Sequence, residues 1–270
     1  MKKLIAVFII LISGTLFAQQ KAQTDKAEFT PAENVGGKPE LKRFLKQEMN
    51  YPENALKNKI QGTVELVFVM NTKTGATSQL KIQESVSKEL DAEAIRLYNL
   101  LLFNPPYYKG SKSTTYCSLK IKFNIKSYNK YCKKRGYNKI DLTNNDINYS
   151  NKIYQNNKVD ISARPYFSES LMTLHHFIYK KLNYPEGTLK LDLKGTVKFT
   201  FIVEPSGRVT NINPVKVLGG GATKEAERIL KLLVWLPAKN EGKYVRTSKS
   251  FEVNFNLSND SGLEYVPGRL

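Results

Sequence analysis

Few residues of this sequence have types and spacing suited to catalysis or to metal binding. The two histidines are adjacent, His175 and His176, and neighbours on a helix point about 100° apart, so one ion would not easily bind both. No cluster of Cys or carboxylates completes a metal site at a typical spacing. The sequence also lacks a Gly-x-Ser-x-Gly nucleophile elbow and a phosphate-binding glycine loop. We therefore expect no catalytic residues, no metal and no cofactor.

A run of three glycines and the single tryptophan could each belong to a ligand site, but the internal repeat favours a structural role for both. Gly219–Gly221 precedes a predicted helix, whose backbone N–H groups would suit an anion. In the internal repeat described below, the matching positions are Ser87, Lys88 and Glu89, which favours a loop variant. Trp235 matches Phe103 in the same repeat, so we expect it to pack in a core.

The two cysteines are poorly placed for a disulfide. Cys117 lies near the start of a predicted strand that runs to about Ile125, and eight strand steps span roughly 26 Å. The seven residues from there to Cys132 reach at most roughly 24 Å, and a bridge needs Cα atoms about 4–7 Å apart. We favour unpaired thiols, with Cys117 on an apolar strand face. A disulfide remains the alternative if the chain doubles straight back.

The first residues have the pattern of a secretory signal peptide. Lys2 and Lys3 precede the mostly apolar run 4–17, and Ala18 is a plausible cleavage point. A membrane-spanning helix needs roughly 20 apolar residues, and this run is shorter. We predict a signal peptide at 1–18 and export to the periplasm, with an uncleaved inner-membrane anchor as the alternative.

The composition is that of a folded, strongly basic protein. Hydrophobic residues make up 41% and charged residues 24% of the 270 residues, with 42 Lys and Arg against 24 Asp and Glu, a net charge of +18. Such a charge favours anionic partners, which after export means lipid head groups, cell-wall polymers or acidic proteins. A compositional bias without a specific partner is the alternative. No basic-aromatic RNA-binding motif is present, so nucleic acid is not expected.

An internal repeat organises the chain. The tetrapeptide Asn-Tyr-Pro-Glu stands at 50–53 and again at 183–186, an offset of 133. The same offset places the Gly-Thr-Val of 62–64 on that of 195–197. After one residue is lost in a turn, the offset is 132, and Arg96 meets Arg228. Glycines, prolines and aromatics keep this register over about 70 residues, which indicates a duplicated domain.

Both copies predict the same order of elements. A proline at the first position indicates a short helix. Alternating apolar residues then indicate two strands of a hairpin. Apolar residues three and four apart indicate a second, longer helix, and a last strand closes the unit. An apolar pattern upstream of each repeat adds an opening helix. The predicted ranges, first copy then second, are 53–59 and 186–191 for the short helix, 63–70 and 197–203 for the first strand, 77–82 and 209–217 for the second, and 116–124 and 247–256 for the last.

These elements predict an α+β fold of two tandem domains, each a three-stranded antiparallel sheet packed with two or three helices. The predicted boundaries are 28–126 for the first domain, 127–162 for a linker rich in Asn, Lys and Tyr, 163–257 for the second domain and 258–270 for a tail. The linker is basic and aromatic, which fits either a solvated stretch or a polyanion contact. Pro214 predicts an edge or a bulge in the second hairpin.

The ordered set of Tyr-Pro, Gly-Thr-Val, a glycine turn, a helix ending in aromatic-x-Pro and a strand ending in Phe resembles the C-terminal domain of TonB. The resemblance covers roughly 38–126 and 170–257. It implies a periplasmic module that binds an outer-membrane TonB-dependent receptor or another envelope protein. In that family, an extended receptor segment adds to the edge of the last strand, so that main-chain hydrogen bonds give affinity.

The resemblance implies partner-binding residues on both last strands and at both Tyr-Pro segments. These residues are Tyr116, Ser118, Leu119, Lys120, Ile121, Lys122, Thr247, Ser248, Lys249, Ser250, Phe251, Glu252, Val253, Tyr51, Pro52, Tyr184 and Pro185. The alternative for the two tyrosines is packing beside the opening helix. The first edge carries two lysines that guard it against aggregation, so we expect the second, less guarded edge to bind the partner.

The sequence differs in two ways from a full energy transducer of this family. The prolines are scattered and form no Pro-rich spacer, and the leader has no His that could couple to a proton-driven motor. We therefore expect recognition without energy transduction by this chain alone. The alternative function is an envelope-binding structural module whose basic surface contacts cell-wall or lipid anions.

Overall fold

A computed structural model describes residues 33–106, 114–133, 146–168 and 172–256. The predicted leader, the tail and the centre of the predicted linker lie outside these residues. The described residues form two units of the same α+β design, as the repeat predicts. The first unit comprises β1 (Glu33–Asn34), α1 (Gly37–Glu48), α2 (Glu53–Lys57), β2 (Gly62–Asn71), β3 (Thr77–Glu84), α3 (Lys88–Leu100), β4 (Phe103–Asn104), β5 (Thr114–Phe123) and α4 (Ile125–Cys132).

The second unit repeats this order with additional strands. It comprises β6 (Ile153–Gln155), β7 (Arg164–Tyr166), α5 (Leu174–Lys181), α6 (Glu186–Lys190), β8 (Gly195–Val203), β9 (Val209–Lys216), α7 (Ala222–Leu232), β10 (Val234–Leu236), β11 (Ala238–Asn240) and β12 (Lys243–Phe255). The predicted helices and hairpins are thus confirmed in both copies, with bounds that differ by a few residues.

The first sheet has the order β3-β2-β5, and all its pairings are antiparallel. Its core follows from the alternation of β2, in which Val64, Leu66, Phe68 and Met70 are buried. Because successive residues of a strand face opposite sides, one face of the sheet carries this apolar row. The buried residues of α1 and α3 pack against that face. Among the described residues, β5 lies at one edge of this sheet, and the face opposite the core is uncovered.

The second sheet keeps this arrangement and extends it. The antiparallel order β12-β8-β9 matches that of the first unit, while β11 and β6 also pair with β12. Trp235 is buried beside Phe201, with ring centroids 5.2 Å apart, so its predicted packing role is confirmed. Pro214 lies in the edge strand β9, opposite Phe199 and next to a register shift, as predicted.

The sequence did not predict several short pairings. In each unit, a strand before the opening helix pairs with the strand that follows the long helix, β1 with β4 and β7 with β10. Strands of two or three residues are too short to show an alternation. The predicted linker also carries regular structure, because most of α4 and the whole of β6 lie within it.

The two units touch through the opening helix of the first and the edge strand of the second. Arg43 of α1 donates a hydrogen bond to the carbonyl of Val209, at 2.8 Å, and the carboxylate of Glu40 accepts one from the N–H of Ile212, at 3.1 Å. Gly36, which precedes α1, has a φ of 78°, and a Cβ there would lie 2.2 Å from the carbonyl oxygen of Ile212. Side chains of α1 thus pair with backbone groups of the β9 edge.

A buried ion pair completes this contact. Arg246 and Glu204 are 2% and 3% exposed, and the guanidinium Nε lies 2.8 Å from a carboxylate oxygen of Glu204. The same guanidinium donates to the carbonyls of Asn151 and Leu100, at 3.1 and 2.8 Å. Leu100 ends α3, and the last carbonyls of a helix have no partner within it. Arg246 therefore joins β12, the segment before β6 and the first unit.

We expect Arg246→Met to lower the free energy of unfolding by about 3–5 kcal/mol, because it leaves the Glu204 carboxylate buried without its partner. Urea unfolding followed by the fluorescence of Trp235, the only tryptophan, measures this loss. Lys243→Ala, an exposed position on the same strand, is the control and should change stability little. A loss below about 1 kcal/mol, the worth of a surface ion pair, would contradict the central role of Arg246.

Candidate partner-binding edges

The last strand of the first unit has an open edge within the part of the chain that the structure describes. There, β5 pairs with β2 along its whole length and with no other strand. Its side chains alternate, since Leu119 and Ile121 are buried while Ser118 and Tyr116 are exposed, Tyr116 to 87%. The backbone groups on the outer side of β5 are thus available for pairing with an added strand.

Two lysines mark the open face of this strand. Lys120 and Lys122 are exposed, and Lys120 lies 3.3 Å from the carboxylate of Glu65 on β2. Lysines on an edge strand discourage edge-to-edge aggregation in natural proteins. The same charges would favour a partner segment with acidic side chains, because opposite charges on neighbouring strands attract.

The last strand of the second unit is partly covered by the chain itself. On its outer side, β11 pairs with Lys243–Val245 and β6 pairs in parallel with Arg246–Ser248. Thr247 is fully buried. The expectation that the edge 247–256 is the less guarded one is wrong at 247–248, because backbone pairing with β6 covers it there.

The remaining predicted residues of β12 lie beyond this cover. Phe251 and Val253 are buried in the core, whereas Ser250 is exposed. Glu252 is paired with Lys198 of β8, at 2.6 Å. The amine of Lys249 lies 5.8 Å from the centroid of the Trp235 ring, and burial lowers the pKa of this lysine.

The Tyr-Pro segments serve packing in this structure. Tyr51 is 5% exposed, its ring meets Phe123 edge-on at 5.8 Å between centroids, and its hydroxyl donates to the carbonyl of Ile60 at 2.6 Å. Burial raises the pKa of the Tyr51 phenol. Tyr184 packs on Phe255 in the same way, at 5.5 Å. Both tyrosines therefore have a packing role, but the ring contact is with the last residue of the closing strand rather than with the opening helix.

The two prolines start the short helices. Pro52 directly precedes α2 and Pro185 directly precedes α6, and both are half-buried. Their fixed φ suits the entry to a helix, so their placement accounts for the repeated Tyr-Pro without a partner contact.

A pair of side chains holds each repeated tetrapeptide in place. Glu93 accepts a hydrogen bond from the N–H of Asn50 at 2.7 Å, and Arg96 donates to Glu93 and to the carbonyl of Glu48. In the second unit, Glu225 and Arg228 make the same contacts with Asn183 and Lys181. From the sequence, these arginines fix only the register of the repeat. The signal for this role was the Glu-x-x-Arg spacing at the same place in both copies.

The other residues with potential chemistry lie apart from one another. His175 and His176 are exposed on α5, and the described ranges contain no group of three or more His, Cys, Asp or Glu that could hold a metal ion. Cys117 is half-buried on the apolar face of β5 and Cys132 is exposed, and both are free thiols, as expected.

A Cβ at Gly220 would lie 2.5 Å from the backbone nitrogen of Thr188. This glycine is therefore needed for a close backbone contact.

Comparison with known proteins gives one family. A family model described as Gram-negative bacterial TonB protein C-terminal matches residues 47–125 and 180–257, which together are more than half of the chain. The comparison with curated proteins and the comparison with solved structures give no match. The two matched segments run from just before the Tyr-Pro segments to the ends of β5 and β12.

In the described part of the chain, no helix has the length and apolar character needed to cross a membrane.

The Glu225–Arg228 pair predicts a pH dependence of stability. The hydrogen bond from Arg228 holds the pKa of Glu225 below its usual range. Because the pKa of Glu225 is lower in the folded state, its ionised carboxylate stabilises the fold at pH values above the unfolded-state pKa of about 4.3. This stabilisation is lost as the pH falls through the folded-state pKa. We therefore expect Glu225→Gln to lower the Tm at pH 7, and the difference from the wild type to shrink below about pH 4.

The measurement is a series of thermal unfolding curves between pH 7 and pH 3. Glu227→Gln is the matched control, because Glu227 lies on the same helix but pairs with Lys231 at the surface, where an ion pair contributes about 0–1 kcal/mol. A Tm difference for Glu225→Gln that stays constant over this pH range would show that ionisation of Glu225 does not stabilise the fold.

Proposed function

This chain belongs to the TonB C-terminal family of Gram-negative bacteria, and we propose that it is a periplasmic module that binds outer-membrane receptor segments by strand addition. The family places it among TonB-related envelope proteins linked to TonB-dependent transport. The basic leader with its apolar run and Ala18 supports export to the periplasm. The partner is a TonB-dependent receptor that presents an extended segment to the closing strand of a unit.

One observation carries this proposal. The closing strand β12 already accepts an extra strand on its outer side, since β6 pairs with Arg246–Ser248. β6 comes from outside the matched segment 180–257. This pairing supports the proposal that the outer side of a closing strand in this fold takes an extended segment.

The alternation of β5 supports selectivity as well as affinity. In strand addition, main-chain hydrogen bonds give affinity and alternate side chains give selectivity. Tyr116, Ser118 and Lys120 all lie on the exposed face of β5. A segment added beside them would place every second side chain next to this polar row, and opposite charges between neighbouring strands contribute about 0.2–1 kcal/mol each.

We expect proline in both closing strands to reduce receptor capture about tenfold. Ser118→Pro combined with Ser250→Pro changes matched exposed positions of the repeat, removes an N–H from each strand and fixes φ. An unmade backbone hydrogen bond costs about 1–3 kcal/mol. The measurement is the recovery of TonB-dependent receptors from detergent-solubilised outer membranes on the immobilised chain.

The control is Ser118→Ala combined with Ser250→Ala, which keeps both N–H groups and should capture as the wild type does. Circular dichroism shows that each variant is folded. Undiminished capture by the folded proline variant would contradict strand addition. A steep fall of capture with salt, without any effect of proline, would instead support contact of the basic surface with cell-wall or lipid anions.

A further inference from the structure

The strand that covers the second closing edge is fixed at both ends. Before β6, the N–H of Asn148 donates to the carbonyl of Tyr244, at 3.0 Å. After it, Ile161 and Lys239 exchange two backbone hydrogen bonds, at 2.9 and 3.0 Å. β7 then pairs with β10. Contacts on both sides of β6 thus hold it in the second unit.

The core of the second unit and the ion pair also hold β6. Tyr154 packs against the core, opposite the fully buried Thr247. Just before β6, the carbonyl of Asn151 accepts a hydrogen bond from Arg246, which also holds Leu100 of the first unit. Displacing β6 would therefore expose apolar surface and disturb the contact between the two units. A partner strand would have to offset both losses to bind at 246–248.

The first unit has no such cover among its described residues. In the repeat, Thr247 and Ser248 match Thr115 and Tyr116, which lie at the start of β5. Whereas Thr247 is fully buried, Thr115 is half-buried and Tyr116 is 87% exposed. Across the ranges that the structure describes, β5 pairs on one side only. Among the described residues, the same position is thus covered in one copy and open in the other.

We infer that the two copies have different tasks: the second copy holds the chain's own strand β6 on its closing edge, and the first copy takes the partner strand on β5. This inference rests on the proposed function and makes it more specific. One chain then binds one receptor segment, although it contains two domains of the family. The second unit acts as the support, and its docking through Arg246 holds the first unit in place.

The test uses NMR on the full chain with a synthetic peptide that copies residues 149–158, which include β6. In the free protein, the amides among Arg246–Ser248 that face β6 rather than β8 should exchange about a hundredfold more slowly than in an unstructured peptide. Added peptide at millimolar concentration should shift the amide resonances of 114–119 and leave those of 246–248 unchanged.

A variant that releases β6 provides the second arm. Ile153→Pro combined with Tyr154→Ala should remove the exchange protection of those amides at 246–248 that face β6, while the amides that face β8 stay protected. The peptide should then shift resonances at both edges, with two peptides bound per chain instead of one. Lys158→Ala, at an exposed position after β6, is the matched control and should behave as the wild type does.

Three results would overturn the inference. They are unprotected amides at 246–248 in the wild type, peptide-induced shifts confined to 249–255, and no shift at either edge. These outcomes are separate from the receptor-capture result. Proline-sensitive capture combined with peptide binding at 249–255 would keep strand addition and reject the division of tasks, whereas capture that is insensitive to proline would reject strand addition itself.

Discussion

A buried guanidinium, that of Arg246, places the strictest constraint on this structure. Moving a charge out of water costs several kcal/mol unless its hydrogen-bonding groups find partners. Arg246 meets this requirement with the Glu204 carboxylate and the carbonyls of Asn151 and Leu100. These partners come from the hairpin of the second unit, from the segment before β6 and from the end of α3. One side chain thus fixes three parts of the molecule that lie far apart in the sequence.

The same constraint makes the two copies unequal. By the repeat, Arg246 and Glu204 match Thr114 and Asn71, which pair with each other in the first sheet. Asn211, whose side chain bonds the backbone of Leu100 and Leu102, matches Gln79. Both residues have a φ of 53°, so both copies keep the same bulge in the backbone, but Gln79 is exposed.

The contact between the units is therefore head-to-tail, and its key side chains are not repeated on the first unit. A heterologous contact of this kind can extend into a chain of copies when both surfaces recur on each copy. Thr114 and Asn71 stand in the first unit where Arg246 and Glu204 stand in the second. The ion pair that completes the contact therefore occurs only on the second unit. Among the described residues, the outer edge of β5 stays open beside this contact.

The repeat allowed the sequence to predict the fold well, and the limits of that prediction have a physical cause. Alternation in β2 and β8 and the Pro-Glu helix starts are local signals, and they recur in both copies. The Arg246 contact involves two backbone carbonyls, which carry no residue-type signal, and β6 has only three residues. The role of Tyr51 depended on its hydroxyl reaching the carbonyl of Ile60, which composition could not indicate. Strand order was thus predictable, whereas the covered edge was not.

The central claim is that a partner strand pairs with the outer edge of β5. Hydrogen–deuterium exchange of the full chain, with and without a purified receptor recovered from the outer membrane, tests it most directly. Strand pairing protects the backbone amides that face the new strand, so protection should rise within 114–123 and stay unchanged at 246–248. Protection that appears elsewhere on the surface while 114–123 exchanges as in the free protein would contradict the claim.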